Sequence, residues 1–376
     1  MKVPFEYGSI AEKDTFIDRV EDRKQLKSFL GGGINVMLVS PRRWGKSSLV
    51  KASMEELKQE DRSVRVCHID AYTVSSEEDF YNKFASAVIQ GVASSIEKRW
   101  SDFVRFIQGL TPSITLTSDP LNAVEVNLSY KPIKESAENI LNLPEKIATA
   151  KGIHIIVCID EFQNLANLKN WKQMEGTMRS VWQHHHQTTY CLYGSKRHMM
   201  MDIFGNSKNP FYRFGQMLSI NKIGKEHWTP YIIRNFEKYG KHIDQDMAER
   251  ICNQVECHSW YVQQFCFLIW THTDTEVTED IYNRQLQNLI NTNADMFLAD
   301  IDGIAPSQLA LLKAIANGEK QFNAKEIVDQ YHLGTPRTIT KNKSAIVKKD
   351  LVEKTKTGFR FVDPVFELWF KREFGT

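Results

Sequence analysis

INVMLVSPRRWGKSS, residues 34–48, is the stretch of sequence that decides the fold. Its first part is a short apolar strand, and its last part contains Gly45-Lys46-Ser47. A glycine-lysine-serine turn directly after a buried strand is typical of a P-loop, where backbone amides and the lysine contact phosphates and the hydroxyl binds Mg²⁺. Apolar residues at helical spacing follow, so the positive end of a helix points at the same place. A chance Gly-Lys-Ser in a surface loop is the alternative.

The loop departs from the P-loop pattern at its first position. Ser40 stands where the pattern has a glycine, and a serine is less free to adopt unusual backbone angles. We expect the turn to accommodate this side chain. The residues that we expect around the phosphates are Pro41, Arg42, Arg43, Trp44, Gly45, Lys46, Ser47 and Ser48.

A second motif lies at the end of the most apolar strand, His154–Ile159, where Asp160-Glu161 follows directly. A continuous apolar run indicates a strand buried on both faces of a parallel sheet. This arrangement has the form of a Walker B strand. Asp160 is then predicted to hold Mg²⁺, and Glu161 to polarise the attacking water. The alternative is a pair of solvated acids that cap the next helix.

Two polar residues further along are candidates for contact with a γ-phosphate. Ser195 follows the predicted strand Thr189–Tyr193, and ligands bind at the carboxyl ends of parallel strands. A helix N-cap is the other interpretation of Ser195. Arg213 closes the stiff segment Pro210-Phe211-Tyr212-Arg213, and it could serve its own site or that of a neighbouring subunit. An ordinary surface arginine is the alternative.

The order of segments predicts an α/β fold with a parallel sheet, a helical lid and a C-terminal winged helix. Strands alternate with helices over the first part of the chain, interrupted by a β-hairpin pattern at about 112–131. We expect a P-loop core over 1–223, a helical lid over 224–304 and a winged-helix domain over 305–376.

Composition sets broad limits on the class of protein. The chain has 376 residues, 42% of them hydrophobic and 25% charged, which suits two or three soluble domains. A net charge of +2 confines any nucleic-acid role to a local patch. The start of the sequence lacks the apolar core of a signal peptide, and no run approaches the length of a membrane span. The six scattered cysteines indicate reduced thiols, so we expect a cytoplasmic protein without a membrane partner.

These residues together resemble the archaeal-type P-loop ATPases, a family of the STAND class that is related to AAA+ proteins. The resemblance covers nearly the whole chain. Its marks are Phe16–Glu21, Ser40–Ser48, Ile159–Gln163, Gly194-Ser195, Pro210–Arg213 and Asp363–Phe366.

The resemblance implies an ATPase core, a helical lid and a C-terminal winged helix, with ATP or ADP and Mg²⁺ as ligands. It also implies that Phe16 and Ile17 line an adenine pocket and that Arg19 lies close to the nucleotide. One departure concerns the lid, where the family often has a Gly-x-Pro turn. The matching stretch here, Cys257–Tyr261, contains neither residue.

The predicted third helix of the C-terminal unit is basic. It carries Arg337, Lys341, Lys343, Lys348 and Lys349, and the predicted hairpin after it adds Lys356 and Arg360. Such residues suit contacts with DNA phosphates. A protein-contact module with a solvated basic face is the alternative, because winged helices also bind proteins.

The leading functional hypothesis is an ATP-dependent molecular switch that hydrolyses ATP slowly with Mg²⁺. A DNA-binding protein regulated by ATP is the second hypothesis. The third is a nucleotide-bound scaffold without turnover, with the inserted hairpin as its partner surface. ATP-dependent homo-oligomers stay open in each of them. The guanine-reading pattern Asn-Lys-x-Asp does not occur in the sequence, which favours adenine nucleotides.

Overall fold

A computed structural model describes residues 3–8, 17, 19–96, 100–110, 114–117, 125–128 and 133–375. The chain forms two compact units. Residues 19–221 are the α/β unit, and residues 1–18 with 222–376 are the helical unit. We predicted that the first 18 residues belong to the P-loop domain, whereas the structure groups them with the helical unit. The further division of that unit into lid and winged helix stays a prediction.

The strands of the α/β unit lie within one or two residues of the apolar runs in the sequence that predict them, which include Val64–Ile69 and Met217–Ile220. They are β1 Val36–Val39, β2 Val64–Asp70, β3 Ile114–Thr117, β4 Glu125–Leu128, β5 His154–Asp160, β6 Thr188–Gly194 and β7 Gln216–Ser219. Strands β3 and β4 pair antiparallel, as the alternating pattern there predicts.

The other five strands form one parallel sheet in the order β2-β5-β6-β1-β7. This confirms the predicted α/β fold. Strand β5 is buried from Ile155 to Ile159, as its interior position requires. Strand β6 lies between β5 and β1, so the P-loop, Ser195 and Asp160 follow the carboxyl ends of three neighbouring strands.

Eight helices of the α/β unit are described around this sheet. They are α1 Val20–Gly31, α2 Lys46–Glu60, α3 Glu77–Ile96, α4 Trp100–Leu110, α5 Ile133–Leu141, α6 Leu143–Lys151, α7 Trp171–Trp182 and α8 Arg197–Gly205. Short 3₁₀ turns at Ala71–Thr73 and Phe162–Asn167 follow β2 and β5.

The apolar spacing of residues 137–150 predicts one helix, and the structure has two there. Helix α5 ends at Leu141, and α6 begins at Leu143 with Pro144 in its first turn. Proline lacks the backbone N–H that a continuous helix would use, and its ring is tolerated only in a first turn. The sequence contained this signal, and the single-helix prediction was wrong because it overlooked Pro144.

The helical unit contains α9 Lys225–Glu237, α10 Gln245–Gln254, α11 Ser259–Thr271, α12 Glu279–Ile301, α13 Pro306–Ala316, α14 Lys325–Tyr331, α15 Pro336–Lys348, β8 Val352–Thr355, β9 Gly358–Phe361 and α16 Pro364–Phe374. Strands β8 and β9 pair antiparallel after three helices, as a winged helix requires. One continuous core runs through the unit, from Tyr231 to Phe370. Phe5, near the start of the sequence, belongs to this core and packs against Tyr231 and Phe236 of α9.

In the described part of the chain, no helix is both long and apolar enough to cross a bilayer.

His185 points inward. Three consecutive histidines, residues 184–186, continue the helical pattern of the preceding segment, which predicts a place on the surface of a helix for them. Helix α7 ends at Trp182, three residues before His185. Its ring hydrogen-bonds the Tyr190 hydroxyl at 2.9 Å and the Asn142 side-chain oxygen at 3.1 Å. Burial lowers the pKa of His185 to about 4, against the opposing charge of Glu145.

Acid should therefore destabilise the α/β unit through His185. The neutral ring is favoured in the folded state and the charged ring in the unfolded state below pH 6.5, so stability falls as the pH drops from there towards 4. We expect this histidine to account for up to roughly 3 kcal/mol of that loss. Urea unfolding at pH 7 and pH 5 measures it. His185→Gln should flatten the pH dependence, and the exposed His184→Gln should leave it unchanged; equal slopes in both variants would contradict the assignment.

Candidate nucleotide-binding site

The loop between β1 and α2 has the backbone that its sequence requires. Gly45 has φ 83°, a left-handed conformation that glycine adopts without strain, and its carbonyl accepts the first bond of α2 from Leu49 at 2.9 Å. Arg43 adopts φ 65° in the same turn. Ser40 is not among the described non-glycine residues with positive φ. A serine is accommodated at this position because the turn does not need a glycine there.

Lys46 lies next to both acids of the second motif. Its ammonium is 3.3 Å from Oε1 of Glu161 and 3.8 Å from Oδ1 of Asp160, and the side chain is only 7% exposed. The Ser47 hydroxyl donates to Oδ2 of Asp160 at 2.7 Å. The alternative of two solvated capping acids does not fit these contacts, since both carboxylates are largely buried and face the loop.

The two carboxylates have opposite pKa shifts. Burial raises the pKa of Asp160, and the charge of Lys46 and the Ser47 hydrogen bond only partly offset it. Burial also opposes ionisation of Glu161, but Lys46 and hydrogen bonds from Gln163 and Ser195 outweigh it and lower the pKa. Glu161 is therefore a carboxylate at neutral pH, the form that accepts a proton or orients water.

Glu161 is held by more contacts than the sequence predicted. Its Oε2 accepts a hydrogen bond from the Ser195 hydroxyl at 2.8 Å and one from Nε2 of Gln163 at 2.5 Å. Its φ of 49° is uncommon for a residue other than glycine and occurs often at functional sites. Ser195 was expected to face a γ-phosphate, and the described contact is with this carboxylate.

Gln163 is a site residue that the sequence analysis missed, and Gly194 explains its position. The Gln163 side chain is fully buried. A Cβ built on Gly194 would lie 1.8 Å from its Oε1 and 2.9 Å from Sδ of Met200. Only glycine therefore leaves room for the amide beside Glu161. The glycine directly before Ser195 was the signal in the sequence that could have found this contact.

Arg19 supports the loop from outside it. Its buried guanidinium donates to the Trp44 carbonyl at 3.0 Å and to the Asn221 carbonyl at 2.6 Å, and it pairs with Asp22 at 2.9 Å. These bonds tie the P-loop to α1 and to the segment after β7. The guanidinium thus contacts the loop backbone, and its approach to a nucleotide stays a prediction.

The remaining predicted residues lie apart from this cluster or outside the described chain. Arg42 and Arg43 are exposed, and Ser48 is buried in the first turn of α2. Arg213 is exposed, with its guanidinium 5.1 Å from the centre of the Tyr212 ring. No described contact of Lys46, Asp160 or Glu161 involves Arg213. Ile17 packs against the core of the helical unit, and Phe16 lies outside the described residues.

Known proteins with related features support the architecture. Residues 295–372 match a family model described as "Probable winged helix domain". The predicted winged helix is thereby confirmed.

Solved structures with a similar fold include a Walker-type ATPase of Pyrococcus abyssi, with a TM-score of 0.68 and 16% identity over 98% of this chain and 100% of that chain. The ORC2 protein of Aeropyrum pernix in its ADP form has a TM-score of 0.58 and 11% identity, over 99% of this chain and 98% of that chain. This chain has a P-loop ATPase fold with a winged helix. At these identities the likeness concerns the fold alone. Among curated proteins, none matches the sequence.

A substitution can test the close approach of Gln163 to Gly194. Gly194→Ala should push the Gln163 amide away from Glu161 and lower the free energy of unfolding by about 1–3 kcal/mol. Gly176→Ala is the matched control, because a Cβ there would meet nothing within 4 Å inside α7. We expect that variant to be as stable as the unmodified chain or more stable, by up to about 1 kcal/mol. Equal stability of the two variants in urea unfolding would contradict the close approach.

Proposed function

We propose that this protein is an ATP-binding P-loop ATPase that hydrolyses ATP with Mg²⁺ and acts as a nucleotide-dependent molecular switch. The observation that carries the proposal is the cluster of Lys46, Ser47, Asp160 and Glu161 at one edge of the parallel sheet. The ORC2 protein of the same fold was solved with ADP and with ADPNP. Adenine nucleotides bound to this related fold support the choice of ATP over GTP.

The residues at the edge of the sheet fit a magnesium ion. The Ser47 hydroxyl and the Asp160 carboxylate are hard oxygen donors 2.7 Å apart. Mg²⁺ in ATPases is bound by one or two protein groups together with substrate phosphates, so these two donors suffice on the protein side. When bound, the ion would neutralise negative charge on the β- and γ-phosphates.

Lys46 and Glu161 divide the remaining tasks. Lys46 balances the buried carboxylates, and its ammonium can turn to the β- and γ-phosphates because phosphate oxygens offer the same negative charge. Glu161, held by Ser195 and Gln163, orients and polarises the attacking water. Ser195 thus acts as a positioning residue for Glu161. Arg213, exposed on its loop, stays a candidate for the γ-phosphate of this or a neighbouring subunit.

The switch rests on the division of the chain into two units. A γ-phosphate that is present in one state only would shift the balance between conformations of the protein. Phe16 and Ile17 stay candidates for the adenine contacts that the resemblance implies. The six cysteines are free thiols, which suits the cytoplasm as the compartment. The conformational change would then alter the formation of a homo-oligomer or the binding of a protein partner.

Phosphate release from ATP tests the enzyme. We expect Mg²⁺-dependent release that falls by roughly 100-fold or more in Lys46→Ala, because the phosphates lose their cation, and by a similar factor in Glu161→Gln. The Glu161→Gln variant should still bind ATP. Lys58→Ala on the same helix, whose exposed side chain pairs with Glu55, is the matched control and should keep the rate.

Two outcomes would separate the competing hypotheses. Hydrolysis that survives both Lys46→Ala and Glu161→Gln would overturn the assignment of the site. Tight ATP binding without phosphate release from the unmodified protein would favour the non-hydrolysing scaffold. Parallel titrations with GTP check the expected preference for adenine.

A second candidate function is DNA binding through the winged helix, which a specific surface favours. Arg337, Lys341 and Lys348 are exposed on α15 at spacings of four and seven residues, so they share one face of the helix. None of the three has an ion-pair partner among the described residues. Lys343, which was also expected to contact DNA, instead points inward, 4.5 Å from the centre of the Phe322 ring. Three cations in a row on one helix face suit contacts with DNA phosphates, and such contacts would give affinity without sequence specificity.

The salt dependence of duplex DNA binding tests this second function. Lys341→Ala with Lys348→Ala removes two phosphate contacts, so the slope of log K against log salt should fall by about two. Lys238→Ala with Lys325→Ala removes the same charge from exposed positions outside α15 and should leave the slope unchanged. Equal losses in both double variants, or no binding at low salt, would argue against DNA as the ligand.

A further inference from the structure

The turn that ends α10 brings two cysteines together. The Glu256 amide donates to the Asn253 carbonyl at 3.1 Å, and the Cys257 amide donates to the Cys252 carbonyl at 2.7 Å. Glu256 adopts φ 47° between them. This pair of bonds around a left-handed residue is a Schellman motif, which sets the two outermost side chains against each other. Here those side chains are the thiols of Cys252 and Cys257.

The two thiols differ in exposure and in charge. Cys252 is fully buried, while Cys257 is partly exposed. Interaction with the neighbouring Cys252 thiol lowers the pKa of Cys257; burial and Glu226 oppose this, and the charges of Lys222 and Lys225 support it. The same interaction and burial raise the pKa of Cys252. Cys257 is thus the accessible nucleophile, and Cys252 lies behind it as a protected thiol.

The other cysteines provide an internal comparison. Cys158 and Cys191 are partners in the register of β5 and β6, so they form a second pair of neighbouring cysteines. Both are fully buried in the sheet, as Cys266 is in the helical unit. Oxidants react with accessible thiolates, so the turn after α10 combines a thiol pair with access from solvent.

We propose that Cys252 and Cys257 form a reversible disulfide in response to hydrogen peroxide. The Cys257 thiolate attacks one peroxide oxygen and breaks the O–O bond, and with one proton the products are a sulfenic acid and water. The Cys252 sulfur then attacks the sulfenic sulfur, its proton goes to the leaving hydroxyl, and a second water departs. Two thiols and one peroxide thus give one disulfide and two waters, with the thiols oxidised and the peroxide reduced.

The bond would fix a turn that is strained when reduced. Glu256 and Cys257 have φ values of 47° and 53°, which residues with a side chain rarely adopt. A disulfide across them ties the end of α10 to the start of α11 and prevents the turn from relaxing. This is a modification of the helical unit, and it stands independently of ATP hydrolysis.

Mass spectrometry of the full-length protein after peroxide treatment tests the proposal. We expect a loss of about 2 Da that a dithiol reductant reverses. After free thiols are alkylated, cleavage at glutamate separates residues 250–256 from 257–276, because Glu256 lies between the cysteines. The two fragments should stay joined until they are reduced. Amide exchange of residues 256–261 should slow several-fold on oxidation.

Single substitutions identify the partners. Cys257→Ser should abolish the mass loss, and this also excludes Cys266, which lies on the same fragment. Cys252→Ser, or Cys252→Ala if serine unfolds the core, should leave a sulfenic acid on Cys257 that a 1,3-dione traps. Cys158→Ser should behave as the unmodified protein does. Fragments that separate without reduction, or a mass loss that survives Cys257→Ser, would overturn the proposal. The fragment mapping uses the unmodified protein, so it remains a test even if a variant fails to fold.

Discussion

A single ammonium group holds two buried carboxylates at the edge of the sheet, and the hydrogen bonds around the site follow from that constraint. Lys46 lies within 4 Å of Asp160 and Glu161, and all three side chains are largely withdrawn from water. Carboxylates in such a place need a positive charge and hydrogen-bond donors, because an unpaired buried charge is strongly destabilising. Ser47, Ser195 and Gln163 provide the donors. Under the proposed function, an incoming phosphate would take over the same cation.

The strand order makes this meeting of side chains unavoidable. Because β6 lies between β1 and β5, the residues after all three strands converge at one edge. Ser195 follows the middle strand, and its hydroxyl reaches Glu161 across a single strand spacing. Gly194, the last residue of β6, provides the space for Gln163. The site is therefore a property of three neighbouring strand ends as well as of the P-loop.

Local patterns explain what the sequence could predict. The strands and the two motifs were found because a buried parallel strand is a continuous apolar run and a P-loop has fixed spacing. The break at Pro144 was also a local signal, although it was overlooked. Contacts between distant segments were beyond reach: Arg19 bonds the backbone of Trp44 and Asn221, and His185 turns inward towards Asn142. Such contacts depend on which elements become neighbours, and apolar periodicity does not encode that.

The packing of the helical unit bears on how a nucleotide signal would travel. Phe297 near the end of α12 packs edge-on against Phe366 of α16, and the Tyr261 hydroxyl of α11 donates to Asp363 at 2.6 Å. The helices assigned to the lid thus share a core with the winged helix. Packed cores transmit strain instead of absorbing it. A displacement that begins at the α10–α11 turn should carry the winged helix with it, so the two predicted domains would move as one body.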